Sequence, residues 1–148
     1  VTVICILLGY PLAYCLSQVP QRWAGILMLG VLVPFWTSLL VRTYAWLVLL
    51  QRRGIVNTAL VDSGLIHQPV PLVNNLTGTI IGMVHVMVPF LVLPLYASMR
   101  SIDGTYVRAA ANLGASPTKA FWQIYFPLSL PGLIAGTILT FILCLGFY

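Results

Sequence analysis

"GILMLGVLVPFWTSLLVRTYAWLVLL", residues Gly25 to Leu50, carries a single charged side chain, Arg42, in 26 residues. Coiled as a helix at about 1.5 Å per residue, it would extend about 39 Å. The hydrocarbon core of a bilayer is about 30 Å thick and asks for about 20 mostly apolar residues. The stretch therefore reads as a helix that crosses a membrane with some tilt. Three more runs of the same kind flank it: Val1 to Leu16, Leu76 to Met99 and Gly132 to Tyr148. Both chain ends fall inside apolar runs. The expectation is a piece from the middle of a longer protein, all-α, with spans at about 1–16, 25–50, 76–99 and 132–148, the first and last truncated.

Composition agrees with lipid as the solvent. The chain is 60% hydrophobic and 6% charged, with two acids, Asp62 and Asp103, and no glutamate. A soluble domain carries about 25% charged residues. The net charge of +5 comes from seven basic residues spread along the chain, which suits membrane loops better than a nucleic-acid surface. Cys5, Cys15 and Cys144 lie in apolar runs without metal-like spacing and read as small buried hydrophobes. Tyr14 before Cys15, with no basic lead, speaks against a lipoprotein or other signal peptide.

Three connections join the four runs. The first, Ser17 to Ala24, carries Arg22, and the third, Arg100 to Pro131, carries Arg100, Arg108 and Lys119. With four spans these two share a side, with four basic residues against Arg52 and Arg53 of the middle connection, Gln51 to Asn75. Positive charge favours the cytoplasm, so the 100–131 loop is expected there. In the middle connection Asn57 can cap a short helix that Gly64 stops, and Pro69 and Pro71 keep the return extended. His67 reads as a solvated loop residue. The sequon at Asn75 abuts a span and carries no weight.

The third connection is punctuated. Thr105 or Asp103 can start a helix through Leu113, and Gly114 can end it in a left-handed cap. Ser116 followed by Pro117 starts a second helix. In it Phe121, Ile124, Tyr125 and Leu128 form one apolar face, with Pro127 and Pro131 closing it before the last span. The small side of the first helix, at Ala110 and Gly114, would let another backbone approach closely. The loop is thus either a docking helix braced by an interfacial one or a plain hairpin.

The same residues resemble the cytoplasmic signature of binding-protein-dependent ABC importer permeases. That signature has glutamate and two alanines, then a glycine, an isoleucine and a leucine–proline pair at fixed spacing. Ala109, Ala110, Gly114, Ile124 and Pro127 fill five of its seven places; Arg108 stands for the glutamate and Phe126 for the leucine. "GYPLAY", "VPFWTSLLVRTYAW" and "VPFLVLPLYASM" are similar to the spermidine/putrescine importer permeases within that family. The resemblance implies that residues 1–148 are the central part of a single permease domain, with the type I ABC importer permease fold, multi-pass in the bacterial inner membrane. It implies Arg108, Ala109, Ala110, Gly114, Ile124 and Pro127 as the coupling contact to a cytoplasmic ABC ATPase dimer. A second permease subunit and a periplasmic solute-binding protein complete the implied assembly. The chain itself would hydrolyse nothing and bind no cofactor, with ATP and Mg on the ATPase. Arg108 reverses the charge of the family contact, which an adapted ATPase or a tolerant groove would accommodate.

Arg42 costs roughly 2.5 kcal/mol or more within a span unless it faces a cavity, a partner or the interface. With Trp36, Tyr44 and Trp46 it either lines the solute path or the contact with the second permease, or it snorkels into an aromatic belt. His85 reads as a helix contact ahead of a proton relay. Gly78 and Gly82 can form a small-residue packing face, and Pro89 and Pro94 should kink the third span. An enzyme would need a constellation of acids, histidines or cysteines, and a channel a pore ring or re-entrant filter; neither stands in the sequence. The expected solute is a polyamine, although a polycation calls for carboxylates or aromatic faces along its path and the spans offer only the aromatics. Amino-acid derivatives and phosphonates are the alternatives.

Overall fold

The computed structural model describes residues 1–146, and among them every regular element is helical. Phe147 and Tyr148, the end of the expected fourth span, lie outside the described residues. In chain order the helices are α1 (Thr2–Gln18), α2 (Gln21–Trp36), α3 (Leu39–Leu50), α4 (Ile55–Asp62), α5 (Leu76–Ser101) and α6 (Gly104–Asn112), then α7 (Pro117–Gly146). Helices α5 and α7 are each long and apolar enough to cross a bilayer, and α1 is apolar but shorter, at 17 residues.

The core lies where α1 and α7 both pack on α5. Ala13 and Leu16 of α1, Leu91, Val92, Leu95 and Met99 of α5, and Tyr125 of α7 are buried together. The closest approach is glycine-made. A Cβ on Gly132 would stand 2.3 Å from the Ser98 Cβ and 2.8 Å from the Pro94 carbonyl oxygen, and one on Gly136 would stand 2.8 Å from the Leu91 carbonyl oxygen. Lipid tails are as apolar as leucine, so helices here are held by close van der Waals packing, which small residues permit. The expected pair Gly78 and Gly82 does not do this. Gly82 faces open space, and Gly78 is tight only against the carbonyl of Leu72 in the preceding loop.

The span expected at 25–50 is not one helix. It breaks at Thr37–Ser38, where Thr37 is extended and neither residue is helical. Pro34 lies in the last turn of α2, and the carbonyls that the break leaves free find side-chain partners. The Thr37 hydroxyl donates to the Pro34 carbonyl at 2.9 Å. The Arg42 guanidinium donates to the Thr37 carbonyl at 3.2 Å and to the Thr37 hydroxyl at 3.4 Å. Non-helical backbone in an apolar run is tolerable only when its polar groups are satisfied in this way.

The helix that carries the fourth apolar run starts at Pro117, ahead of the run itself at 132. Pro127 and Pro131 lie inside α7 and do not close a separate helix. A π-helical turn at Phe121–Tyr125, where the Phe126 N–H bonds to the Phe121 carbonyl, shifts the register. The buried stripe consequently runs Tyr125, Ser129, Gly132, Gly136, Thr140, and Leu128, placed on the apolar face by simple spacing, is exposed. Helix α5, by contrast, stays a single element through Pro89 and Pro94.

In the middle connection the cap of α4 is Gly54, and Asn57 sits within the helix, fully buried. Its amide donates to the Gln51 carbonyl at 3.1 Å and the Val70 carbonyl at 3.0 Å, while its oxygen accepts from the Val70 N–H at 3.0 Å. Asn57 therefore ties the loop together and does not start it. Gly64, at φ +73, ends the helix as expected. Asn75 caps α5, its side-chain oxygen accepting from the Gly78 N–H at 2.9 Å. Of the three cysteines, Cys5 is buried, Cys144 is half-buried and Cys15 is exposed on α1.

Candidate functional site

The 100–131 loop is built from capped local elements. Asp103 is the N-cap of α6, its carboxylate accepting from the Thr105 N–H at 2.8 Å and the Thr105 hydroxyl at 2.7 Å. Those two bonds, the hydroxyl's the stronger, hold the Asp103 carboxyl below its usual value, and Arg108 acts in the same direction. At the other end Gly114 adopts φ +83. The Gly114 N–H bonds to the Ala111 carbonyl and the Ala115 N–H to the Ala110 carbonyl, each at 3.0 Å. This is a Schellman cap, which a glycine fills without strain. Two residues later Ser116 caps α7 through the Lys119 N–H, with Pro117 in the first turn.

Helix α6 packs on the first turns of α7, and the small side named from the sequence divides there. Of the small side, Ala110 is 7% exposed, whereas Gly114 is exposed, with open space where a Cβ would stand. Tyr106 is 57% and Leu113 88% exposed, on either side of Ala110 at the i−4 and i+3 positions of one face, and Arg108 and Ala109 are exposed as well. The exposed pair Tyr106 and Leu113 stand seven residues apart, two helical turns, and that spacing was the available signal for two apolar residues at the rim of the packed side. Ile124 lies half-buried in the π-helical turn, and Pro127 lies exposed one turn along α7. The coupling residues named from the signature thus fall into an outward set, Arg108 and Ala109, a bracing residue, Ala110, and a turn, Gly114. Ile124 and Pro127 belong to the helix that carries the loop back into the bundle.

The second candidate group divides. Arg42 and Trp46 line a cavity of about 330 Å³ with Asn74, Thr79 and Met83. Trp46 also meets His85 edge to face, ring centroids 5.5 Å apart. Both of these rings line the larger neighbouring cavity of about 710 Å³, together with Ile4, Leu8 and Leu12 of α1. Tyr44 faces a different recess of about 380 Å³ beside Arg52 and Pro71. Trp36 is 89% exposed at the end of α2. Arg42 is therefore both the partner of the broken span and a wall of a cavity, while Trp36 and Tyr44 stand apart from it.

A bundle of apolar helices, with a doubly capped helix leading directly into one long enough to cross a bilayer, defines a membrane protein. The chain belongs to the family of binding-protein-dependent transport system inner membrane components, whose family model matches residues 3–148. It is 37% identical over 147 residues to the spermidine/putrescine transport system permease protein PotB of Haemophilus influenzae, covering 99% of this chain and 51% of that protein. PotB of Escherichia coli K12 is likewise 37% identical over 147 residues, with 99% and 54% covered. The molybdenum transport system permease protein ModB of Mycobacterium bovis is 30% identical over 145 residues, with 98% and 53% covered. The chain spans about half the length of these relatives.

Proposed function

We propose that the chain forms the translocation path of an ATP-driven importer and couples to a cytoplasmic ABC ATPase dimer through α6. The exposed Tyr106 and Leu113, within and at the end of a helix that is capped at both ends and braced on α7, support this reading most directly. A rigid helix with two apolar anchors can seat in a groove on another protein and pass on its motion. The loop then faces the cytoplasm and the 51–75 connection the periplasm, in agreement with the basic-residue bias. ATP and Mg belong to the ATPase, and this chain has no hydrolytic role. A second permease and a periplasmic solute-binding protein complete the assembly, in a bacterial inner membrane.

The solute we infer is a polyamine, on the similarity to the PotB permeases. The acids Asp62 and Asp103 lie outside the long apolar helices, so a polycation would meet aromatic faces such as Trp46 along the path, and charge selection would fall to the solute-binding protein. The experiment is made on the full transporter in its native membrane. Gly114→Leu forces a side chain into a left-handed backbone, at a cost of about 1–2 kcal/mol, and Leu113→Asp removes an anchor. Both should abolish ATPase retention on the membrane and spermidine uptake at normal permease level. Full retention and uptake in both variants would refute the docking role. Thiol labelling of a cysteine at Ser116 from the periplasmic side, in an otherwise cysteine-free protein, would refute the orientation. Uptake competed by molybdate and not by putrescine would refute the solute.

A further inference from the structure

Two hydrogen bonds tie α1 to α7 in opposite senses. Tyr10 Oη and Ser129 Oγ are 3.0 Å apart, and Ser17 Oγ and Tyr125 Oη are 2.8 Å apart. Each serine already donates its one proton to its own helix: Ser129 to the Phe126 carbonyl at 2.8 Å, and Ser17 to the Tyr14 carbonyl at 2.7 Å. A hydroxyl carries a single hydrogen, so both tyrosines are the donors. A tyrosine of α1 thus holds a serine of α7, and a tyrosine of α7 holds a serine of α1. Around these bonds Tyr14 packs edge to face on Phe121 and Tyr125, at 5.3 and 5.2 Å between centroids. Ser129 is fully buried and Tyr125 nearly so.

The position of this crossed pair gives it a use. Tyr125 lies in the π-helical turn against which α6 is braced. The opposite side of α1 presents Ile4, Leu8 and Leu12 to the 710 Å³ cavity. Resting on the docking role assigned to α6, we propose that Tyr10–Ser129 and Tyr125–Ser17 form a latch that makes α1 move with the coupling loop. Displacement of α6 is then delivered to the cavity wall through α1, and not along α7 alone. Tyr10, Ser17, Tyr125 and Ser129 are positioning residues in this scheme, and none of them need touch solute.

The test uses the full transporter carrying Tyr10→Phe and Tyr125→Phe, singly and together. Phenylalanine keeps the rings and their packing while removing both donors. A hydrogen bond between membrane helices is worth a factor of about three, so the double variant should transport about ninefold less solute per ATP. ATPase retention and permease level should be unchanged, and Ser17→Thr, which keeps the acceptor, should match the parent. Spin labels at Leu12 and Leu128, exposed on α1 and α7, give a second reading that needs no ATPase. Their distance distribution should be narrow in the parent and broader in the double variant. An unchanged transport ratio, or an unchanged distribution, overturns the latch. Failure of the docking role would show separately, as ATPase retention that survives Leu113→Asp.

Discussion

Gly132 offers a measurement of how closely α5 and α7 must approach. An alanine there would put its methyl 2.3 Å from the Ser98 Cβ and 2.8 Å from the Pro94 carbonyl oxygen. Carbon atoms prefer about 3.5–4.0 Å, so the two helices must part locally by more than about 1 Å. The obstructing atoms are a Cβ and a backbone oxygen, neither of which can swing away as a side-chain tip can. Overpacking of this kind costs about 1–3 kcal/mol. Against it stands the gain of about 1 kcal/mol that alanine brings to a helix interior over glycine. Gly82→Ala on α5 isolates that gain, because a Cβ at Gly82 meets nothing within 4 Å. The two alanine variants should therefore differ by the packing term alone, with Gly132→Ala the less stable by about 1–3 kcal/mol. At about 2–4 °C per kcal/mol for a domain of this size, thermal unfolding of the purified permease in lipid nanodiscs resolves the difference. Equal melting temperatures for the two variants would refute the claim that glycine at 132 sets the helix separation.

Two further outcomes follow from the geometry. Asn57→Leu removes the partner of the Val70 N–H and carbonyl, while the Gln51 carbonyl keeps the Gly54 N–H, so the 51–75 connection should lose about 1–3 kcal/mol of stability; limited proteolysis of that loop should accelerate, and unchanged cleavage would count against the staple. Arg42→Gln and Arg42→Lys both lose the forked contact to Thr37, so each should lower solute uptake at matched expression; normal uptake by the glutamine variant would return Arg42 to the role of an interface anchor.

Much of this protein is written locally. With two acids in a chain 60% hydrophobic, only lipid can be the outer solvent, and helices follow because every backbone group must be paired within its segment. Asp103, Gly114, Ser116 and Pro117 set the ends of α6 and the start of α7, since a cap depends on a side chain and a dihedral angle within a few residues. The alanine–glycine spacing of the loop marked the family for the same reason: it is a short pattern. The tertiary structure decided what depends on distant atoms. Pro34 lies just ahead of a broken span while Pro127 and Pro131 lie inside an unbroken one, because the surroundings at Thr37 and Arg42, and at Ser129 and the π-helical turn, satisfy different groups. Ala110 turned inward because α7 lies against it. Gly132 and Gly136, not Gly78 and Gly82, became the close contact because Pro94 and Ser98 stand opposite them. No spacing within one helix states which of its faces another helix will meet, and that choice belongs to packing.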